Sequence, residues 1–553
     1  MVFNSHTKRS RLFLALLAGV GLGLSFPPFP TGILAAFSFV PFYILFEKIK
    51  THHEALKYSY LTFFILGIIT SYWIGAYNIS EQAYLAITGT ALLILFPLIF
   101  CITVLIWFFF ICHLGYKKSI FIFPFIWVST EYLLTRTNLV FPWQILAYTQ
   151  TYDLAVLQIV SFTGVHGISL WLLSINVLIY LLISKWVAKE WKYLSIKPIL
   201  VVIVIAVVYF LPKIYGISVL ENQNKYFLKS DKNINVGVVQ PNINPYEKWL
   251  GNADKQLEVL QRLSGDAAKA KPDLVIWPET AVPAYILLPD NIAMLRTIRR
   301  QVDSLKINLY TGITDWIYYA DVKTAPKSSK WSGDGRHYDI YNSGILLQSN
   351  TMHVQKYAKI ILVPFAERVP WAEELSFLNL DVIRWNFGAT GFGVGGDTTI
   401  FKLCLASSDT VKFSTMICYE SLFPEFVAEF VRRGAQFIVV ITNDSWWGNT
   451  SGVYQHEQYD ILRAVENRRW VVRCANGGIS CFIDPYGVIH QRLKFGVEAA
   501  LVKNIKPISE LTFYSRHKDL VGKFCILVTI VLLLVVGIKL IYVKKSKKQF
   551  KNF

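Results

Sequence analysis

The sequence predicts a polytopic helical membrane protein that carries one extramembrane, layered α/β domain. Two observations predict it. Of the 553 residues, 54% are hydrophobic and 17% are charged, a balance soluble domains rarely have. The apolar excess lies at the two ends, whereas residues 229–506 have ordinary globular composition and enough length to bury a core of their own.

Seven apolar runs precede the polar span, at Leu12–Phe26, Ile33–Phe46, Tyr58–Ala76, Tyr84–Cys112, Ile120–Leu134, Ile168–Ile183 and Ile199–Tyr215. An eighth, Phe524–Val543, follows it. They predict about 8 transmembrane helices, several of them shorter than the ~20 residues a perpendicular crossing needs. The first run does not read as a cleaved signal peptide. No small-residue cleavage site follows, and Phe26-Pro27-Pro28-Phe29-Pro30 leads straight to the next run. The expected division is a transmembrane domain at 1–220, the polar domain at 229–506, a final helix at 520–543 and a basic tail at 544–553.

Lysine and arginine set the orientation. Lys8, Arg9 and Arg11, then Lys48, Lys50 and Lys57, then Lys117 and Lys118, then Lys185, Lys189, Lys192 and Lys197, and finally the C-terminal lysines fall on alternate segments. The intervening segments are bare apart from Arg136. This places both termini in the cytoplasm and the polar domain outside, which in a bacterium is the periplasmic face of the inner membrane. The net charge of +18 therefore points to anionic lipid rather than nucleic acid. The seven cysteines show no CxxC pair and no metal-ligand spacing. Cys404, Cys474 and Cys481 read as small core residues. The connection Thr135–His166, aromatic and nearly uncharged, reads as a re-entrant or interfacial segment, with an ordinary extramembrane loop as the alternative.

In the polar domain, strand-like runs recur at Ile234–Val239, Leu274–Trp277, Ile307–Thr311, Ser343–Leu347, Phe413–Cys418, Phe437–Thr442, Trp470–Arg473 and Ser480–Ile483. Helical patterns lie between several of them, at Asn252–Leu263, Ile292–Leu305, Glu425–Arg433 and Gln455–Asn467. Such alternation predicts layers of helix and sheet. The stretch Asp321–Arg336 reads as an exposed loop.

Three ionisable residues stand in particular settings. Glu279 follows Trp277-Pro278 at the end of a strand-like run, Lys359 begins the apolar run Ile360–Phe365, and Cys418 precedes Tyr419-Glu420. Singly, each has a plainer reading: a turn cap, a snorkelling lysine and a core cysteine. A carboxylate, an amine and a thiol together are the parts of acyl transfer through a thioester. His456 and Arg463 suit an ordinary polar helix face, and Asn476-Gly477-Gly478 suits a turn.

The order Glu279, Lys359, Cys418 resembles the nitrilase superfamily. The motifs that carry the resemblance are Trp277-Pro278-Glu279, Tyr357-Ala358-Lys359 running on to Leu362–Pro370, Ile417–Glu420 and Thr442–Gly448. With apolar spans on both sides, the chain is similar to its membrane-bound apolipoprotein N-acyltransferase family along essentially its whole length. It departs from the usual pattern at Ser445 and Trp447, where Ala and Phe are commoner, and at Ala366, where Gly is usual.

The resemblance implies an αββα sandwich, with Cys418 as nucleophile, Glu279 as general base and Lys359 as support for the oxyanion. It implies supporting roles for Glu367, Tyr419 and Glu420, and substrate handling for Trp249. It implies a phospholipid acyl donor, typically phosphatidylethanolamine, a diacylated apolipoprotein acceptor, a monomer, and no metal or other cofactor. Two alternatives stay open: a membrane-tethered nitrilase-type amidase, in which water replaces the amine, and a transporter with an outer binding domain. Glu131 is the main ionisable residue within an apolar span, where such residues often mark a substrate path.

Overall fold

The computed structural model describes residues 7–137, 141–188, 196–222, 232–327, 329–371 and 391–549. Lys189, Lys192, residue 229 and the last tail residues 550–553 lie outside them. Strands in the polar domain are β1 (Ile234–Gln240), β2 (Leu274–Ile276), β3 (Asn308–Tyr318), β4 (Lys330–Trp331), β5 (His337–Leu347) and β6 (Val354–Ala358). They continue as β7 (Phe401–Cys404), β8 (Thr410–Ile417), β9 (Phe437–Thr442), β10 (Val471–Ala475), β11 (Cys481–Ile483), β12 (Ile489–Arg492) and β13 (Ala499–Ile505).

The first sheet runs β13-β1-β2-β3-β5-β4, with β6 beside β5, and the second runs β12-β11-β10-β9-β8-β7. Successive side chains on a strand face opposite ways, and the sequence uses this to build two cores. Leu274 and Ile276 of β2 join Phe413, Ile417 and Ile441 in the apolar layer between the sheets. Val275, between them, faces outward to Leu260 and Leu263 of helix Ala253–Ala268 and to Ile298 of helix Ile292–Leu305. Helices Pro424–Arg432 and Ser451–Asn467 pack on the second sheet. The layers are those of an αββα sandwich.

β1, β2 and β3 are parallel to one another, as are β8, β9 and β10. Glu279 follows β2, Lys359 follows β6, Cys418 follows β8 and Asp444 follows β9. The carboxyl ends of strands are where sheets of this kind leave a crevice for ligands.

Among the described residues, five helical stretches are long and apolar enough to cross a membrane: His52–Gly75, Ser80–Leu114, Val160–Val187, Lys197–Glu221 and Leu520–Lys544. The first, second and fifth expected runs instead form shorter helices, Lys8–Leu24, Val40–Phe46 and Phe123–Leu134. The expected run Tyr84–Cys112 divides into helices Ile79–Leu95 and Pro97–Leu114. Pro97 has no N–H to donate, so the helical ladder breaks there.

The described part of the Thr135–His166 connection packs largely within the protein. Pro142–Gln144 and Leu146–Gln150 are buried 3-10 turns pressed against helix Ser451–Asn467. The Tyr148 and Tyr459 rings stack at 4.1 Å, and Tyr459 donates to the Trp143 carbonyl. Gln455 binds the same region: its Oε1 accepts from Trp73 Nε1 and Trp143 Nε1, and its Nε2 donates to the carbonyls of Pro27 and Thr70. One apolar core thus runs from the membrane helices into the sandwich. Glu131 is buried within it and accepts from Trp127 Nε1 and from the Leu146 N–H, which makes it an anchor for this connection. Helix Ser451–Asn467 is buried at every position but Tyr454, so it has no solvent-facing polar side. His456 and Arg463 are fully enclosed, which differs from the expected ordinary polar helix face.

Cys474 and Cys481 are core residues, but Cys404 is exposed. It ends the edge strand β7, whose residues alternate between buried and exposed.

Candidate active site

Cys418 starts a 3-10 turn, Cys418–Leu422, directly after β8. Its φ of +53° is a left-handed conformation that a non-glycine residue holds only when its surroundings enforce it. Glu420 supplies part of that enforcement. Its Oε2 accepts from the Ile417 N–H at 2.8 Å, while Oε1 accepts from Tyr357 Oη at 2.7 Å and from the N–H groups of Ile360 and Ile361 at 2.7 and 3.1 Å. One carboxylate therefore ties the residue before Cys418 to the residue after Lys359. Burial, partly offset by the Ile417 N–H and the Tyr357 hydroxyl, pushes the Glu420 carboxyl up to about 7.

Glu279 sits on a tight turn that packs against β3. A side chain at Gly312 would lie 2.6 Å from the Pro278 carbonyl and 2.7 Å from the Glu279 Cα, so only glycine allows this approach. Asn342 Nδ2 donates to Glu279 Oε1 at 2.7 Å and to Glu367 Oε1 at 3.2 Å. Lys359 is fully buried at the end of β6. Its N–H donates to the Asn342 carbonyl, and its Nζ stands 2.8 Å from Glu367 Oε1 and 3.6 Å from Glu279 Oε1. Glu367 Oε2 in turn accepts from the Val363 N–H at 2.8 Å.

The electrostatics follow from this crowding. Burial raises the Cys418 thiol well above its ordinary value; nearby Glu279 adds to the rise and Lys359 opposes it. Burial also raises the Glu279 carboxyl, with Lys359 lowering it and Glu367 raising it. Burial alone would lower the Lys359 ammonium, but Glu367 and Glu279 outweigh that and hold it charged. The resting thiol is neutral, beside a carboxylate whose basicity has been lifted toward it, an arrangement suited to proton transfer during attack rather than to a preformed thiolate.

The structure thus brings Glu279, Lys359, Glu367, Glu420 and Cys418 together. The Tyr419 ring is buried and meets Phe423 edge-on at 5.4 Å. Trp249 stands apart on the turn at 245–250, 48% exposed beside Leu250, which is 86% exposed. Its neighbour Lys248 is the link to the site: Lys248 Nζ donates to the Glu279 carbonyl at 3.3 Å and to Thr280 Oγ1 at 3.0 Å. Burial lowers the Lys248 ammonium to about 8.

Sequence reasoning missed Asn342 and Lys248. Neither lies in a motif, and only the pairing of β5 with β3 and β6 brings Asn342 to the site. It also set His456 aside. The His456 ring lies between Asp444 and Cys418, with Nδ1 2.9 Å from Asp444 Oδ1 and Nε2 3.3 Å from the Cys418 carbonyl. Cys418, Asp444 and His456 place potential ligand atoms within 4.8 Å of one another. A cation there would face the Arg473 guanidinium, whose Nη2 is 2.5 Å from Asp444 Oδ2 and cannot itself act as a ligand.

An αββα sandwich built on an apolar helical domain defines a membrane-associated enzyme of the carbon–nitrogen hydrolase class, and the family models and sequence relatives agree. Residues 235–507 match the carbon-nitrogen hydrolase family model, and residues 18–178 match the model of the apolipoprotein N-acyltransferase N-terminal domain. The chain is 32% identical to an apolipoprotein N-acyltransferase of Chlorobaculum tepidum over 542 residues, covering 95% of this chain and 96% of that one. It is 30% identical to that of Rickettsia typhi over 537 residues, covering 95% and 97%. The crystal structure of Saccharomyces cerevisiae Nit3, of the nitrilase superfamily, aligns with a TM-score of 0.35 at 19% identity, covering 50% of this chain and 92% of that one. The chain belongs to the apolipoprotein N-acyltransferase family.

Proposed function

We propose that this enzyme transfers an acyl chain from a phospholipid, through a thioester on Cys418, to the N-terminal amine of the S-diacylglyceryl cysteine of an apolipoprotein. The observation that carries this reading is the convergence of Glu279, Lys359 and Cys418 in a site whose apolar core is continuous with membrane helices. Both substrates keep acyl chains in the bilayer, so a site on this framework meets them where they reside.

In the first half-reaction, Glu279 accepts the Cys418 proton as Sγ attacks the sn-1 ester carbonyl. Lys359 Nζ and the Tyr419 N–H stabilise the oxyanion, each donor contributing roughly 3 kcal/mol in comparable enzymes. The intermediate collapses, Glu279 returns the proton to the departing oxygen, and lysophospholipid leaves. In the second half, the acceptor amine attacks the thioester and Glu279 takes a proton from the nitrogen. The amide forms, and the Cys418 sulfur leaves and recovers its proton. Phosphatidylethanolamine is the donor we infer. A transmembrane domain at 1–220, a catalytic domain at 229–506, a final helix at 520–543, a basic tail at 544–553 and a monomeric state complete the reading; the alternation of basic segments supports cytoplasmic termini and a periplasmic catalytic domain.

The test is intact-mass analysis of full-length protein incubated with phosphatidylethanolamine and no acceptor. An acyl increment on Cys418, absent in Cys418→Ala and transferred to a diacylglyceryl-cysteine peptide, is expected. Decay of the increment only to free fatty acid would show a hydrolase instead, and no increment would refute the thioester.

A further inference from the structure

We propose that His456, oriented by Asp444, is a positioning residue that sets the direction of the Tyr419 N–H by holding the other edge of the Cys418–Tyr419 peptide. The inference rests on the thioester reading above.

Among the described residues the only cis bond is Pro27-Pro28, so the Cys418–Tyr419 peptide is trans. In a planar trans peptide the C=O and the N–H point in opposite directions. Whatever holds the Cys418 carbonyl therefore also aims the Tyr419 N–H. Cys418 has φ +53°, a conformation with no intrinsic preference to maintain it. A small rotation of this peptide would move its N–H off the position where the oxyanion forms.

His456 Nε2 is 3.3 Å from the Cys418 carbonyl oxygen and 3.2 Å from Ser421 Oγ. The carbonyl only accepts, so Nε2 carries the hydrogen that reaches it. On its other side Nδ1 donates to Asp444 Oδ1 at 2.9 Å, since a carboxylate oxygen only accepts, so the ring that braces the peptide carries a hydrogen on both nitrogens. Asp444 is held in turn by Thr442 Oγ1 at 2.7 Å and by Arg473, and Arg473 also pairs with Asp460. His456, Asp444, Asp460 and Arg473 are all completely buried. The chain Arg473–Asp444–His456 is a rigid strut that ends on the nucleophile's backbone. Both ring nitrogens are engaged, so the ring is placed to brace the peptide rather than to take the Cys418 proton.

Two reactions of Cys418 separate these roles. Acylation by an ester passes through an oxyanion, whereas alkylation by iodoacetamide is a direct displacement that forms none. The full-length enzyme in detergent micelles is assayed for both, with phosphatidylethanolamine as acyl donor, as wild type, H456N and H456Q. The glutamine amide nitrogen reaches the place of Nε2, whereas the asparagine amide nitrogen reaches only that of Nδ1.

H456N should acylate on the order of 10²-fold more slowly, the scale of one lost oxyanion donor, with KM for the phospholipid unchanged. Its alkylation rate and alkylation pH profile should match wild type within about twofold, since no donor to an oxyanion is involved. H456Q should recover most of the acylation rate. Wild-type acylation rates in H456N would overturn the proposal, as would equal losses in both reactions or an H456Q as slow as H456N. If wild type itself forms no acyl-Cys418, the thioester reading fails instead, and that outcome is distinct.

Discussion

Lys359 makes its close ion pair with Glu367, at 2.8 Å, and stands 3.6 Å from Glu279. The ammonium is thus anchored on the carboxylate that is not assigned the base role. Burial raises the Glu279 carboxyl; Lys359, held at a remove, only partly offsets this, and the nearby Glu367 adds to the rise.

Glu367→Gln removes that second negative charge and frees Lys359 to approach Glu279. Both effects favour the ionised form of Glu279, so its pKa falls. The acidic limb of the acyl-enzyme formation rate should shift to lower pH, while the rate at the plateau drops on the order of 10²-fold through loss of the Lys359 anchor. Stopped-time intact-mass measurements across pH would show it. An unchanged limb would break the link between Glu367 and the base.

Lys248→Met should move the same limb the other way. Lys248 contributes a lowering influence on Glu279, so its removal raises the Glu279 pKa. The turn at Thr280, with φ +44°, also loses the donor to Thr280 Oγ1, and the plateau rate should fall about tenfold, near the ~1.4 kcal/mol that a tenfold change represents. A limb shifted in the same direction as that of Glu367→Gln would contradict the electrostatic assignment.

Glu420 makes stability depend on pH. Its carboxyl titrates at about 7 in the folded protein, against an ordinary value of 4.5. The folded state binds the proton more tightly, so this stabilisation is complete below about 4.5 and is lost as pH rises through about 7. The thermal midpoint in detergent should decline across that window in wild type and decline less in Glu420→Gln. Because the amide would present a donor to one of four donors already directed at Glu420, the variant should also be less stable at pH 5. Parallel wild-type and variant curves would exclude this role.

Gln455 joins the sandwich to the membrane helices. Gln455→Ala leaves the Trp143 indole N–H without its 2.6 Å acceptor and removes the donors to Pro27 and Thr70. About 2–4 kcal/mol of stability should be lost, at roughly 1–3 kcal/mol per buried group left unsatisfied. Denaturant unfolding of the full-length protein measures it, and a loss below about 0.5 kcal/mol, within the range of ordinary surface substitutions, would show that the contact is dispensable.

Much was legible locally. Helix Ile292–Leu305 has the ends its apolar spacing predicts, and the runs leading to Glu279 and Cys418 are strands. Strands β6, β7, β12 and β13 escaped, because edge or near-edge strands such as these carry exposed Lys, Gln and Asn that blur the period of two. Asp321–Arg336, read as a loop, contains the whole two-residue strand β4 and joins the long pair β3 and β5. Trp249 came from the family resemblance, and the structure leaves it half-exposed.

By itself the sequence determined the class of protein and the layered α/β domain, and it singled out Glu279, Lys359 and Cys418, since composition, hydrophobic period and short motifs are local properties. Only the tertiary structure decided that Lys359 pairs first with Glu367, that Glu420 bridges the strands bearing Lys359 and Cys418, and that His456 faces inward onto the Cys418 carbonyl. Those relations join residues up to 60 positions apart through strand pairing and through a helix enclosed on all sides. No local pattern encodes which face of such a helix meets Cys418, because all its positions but Tyr454 are buried.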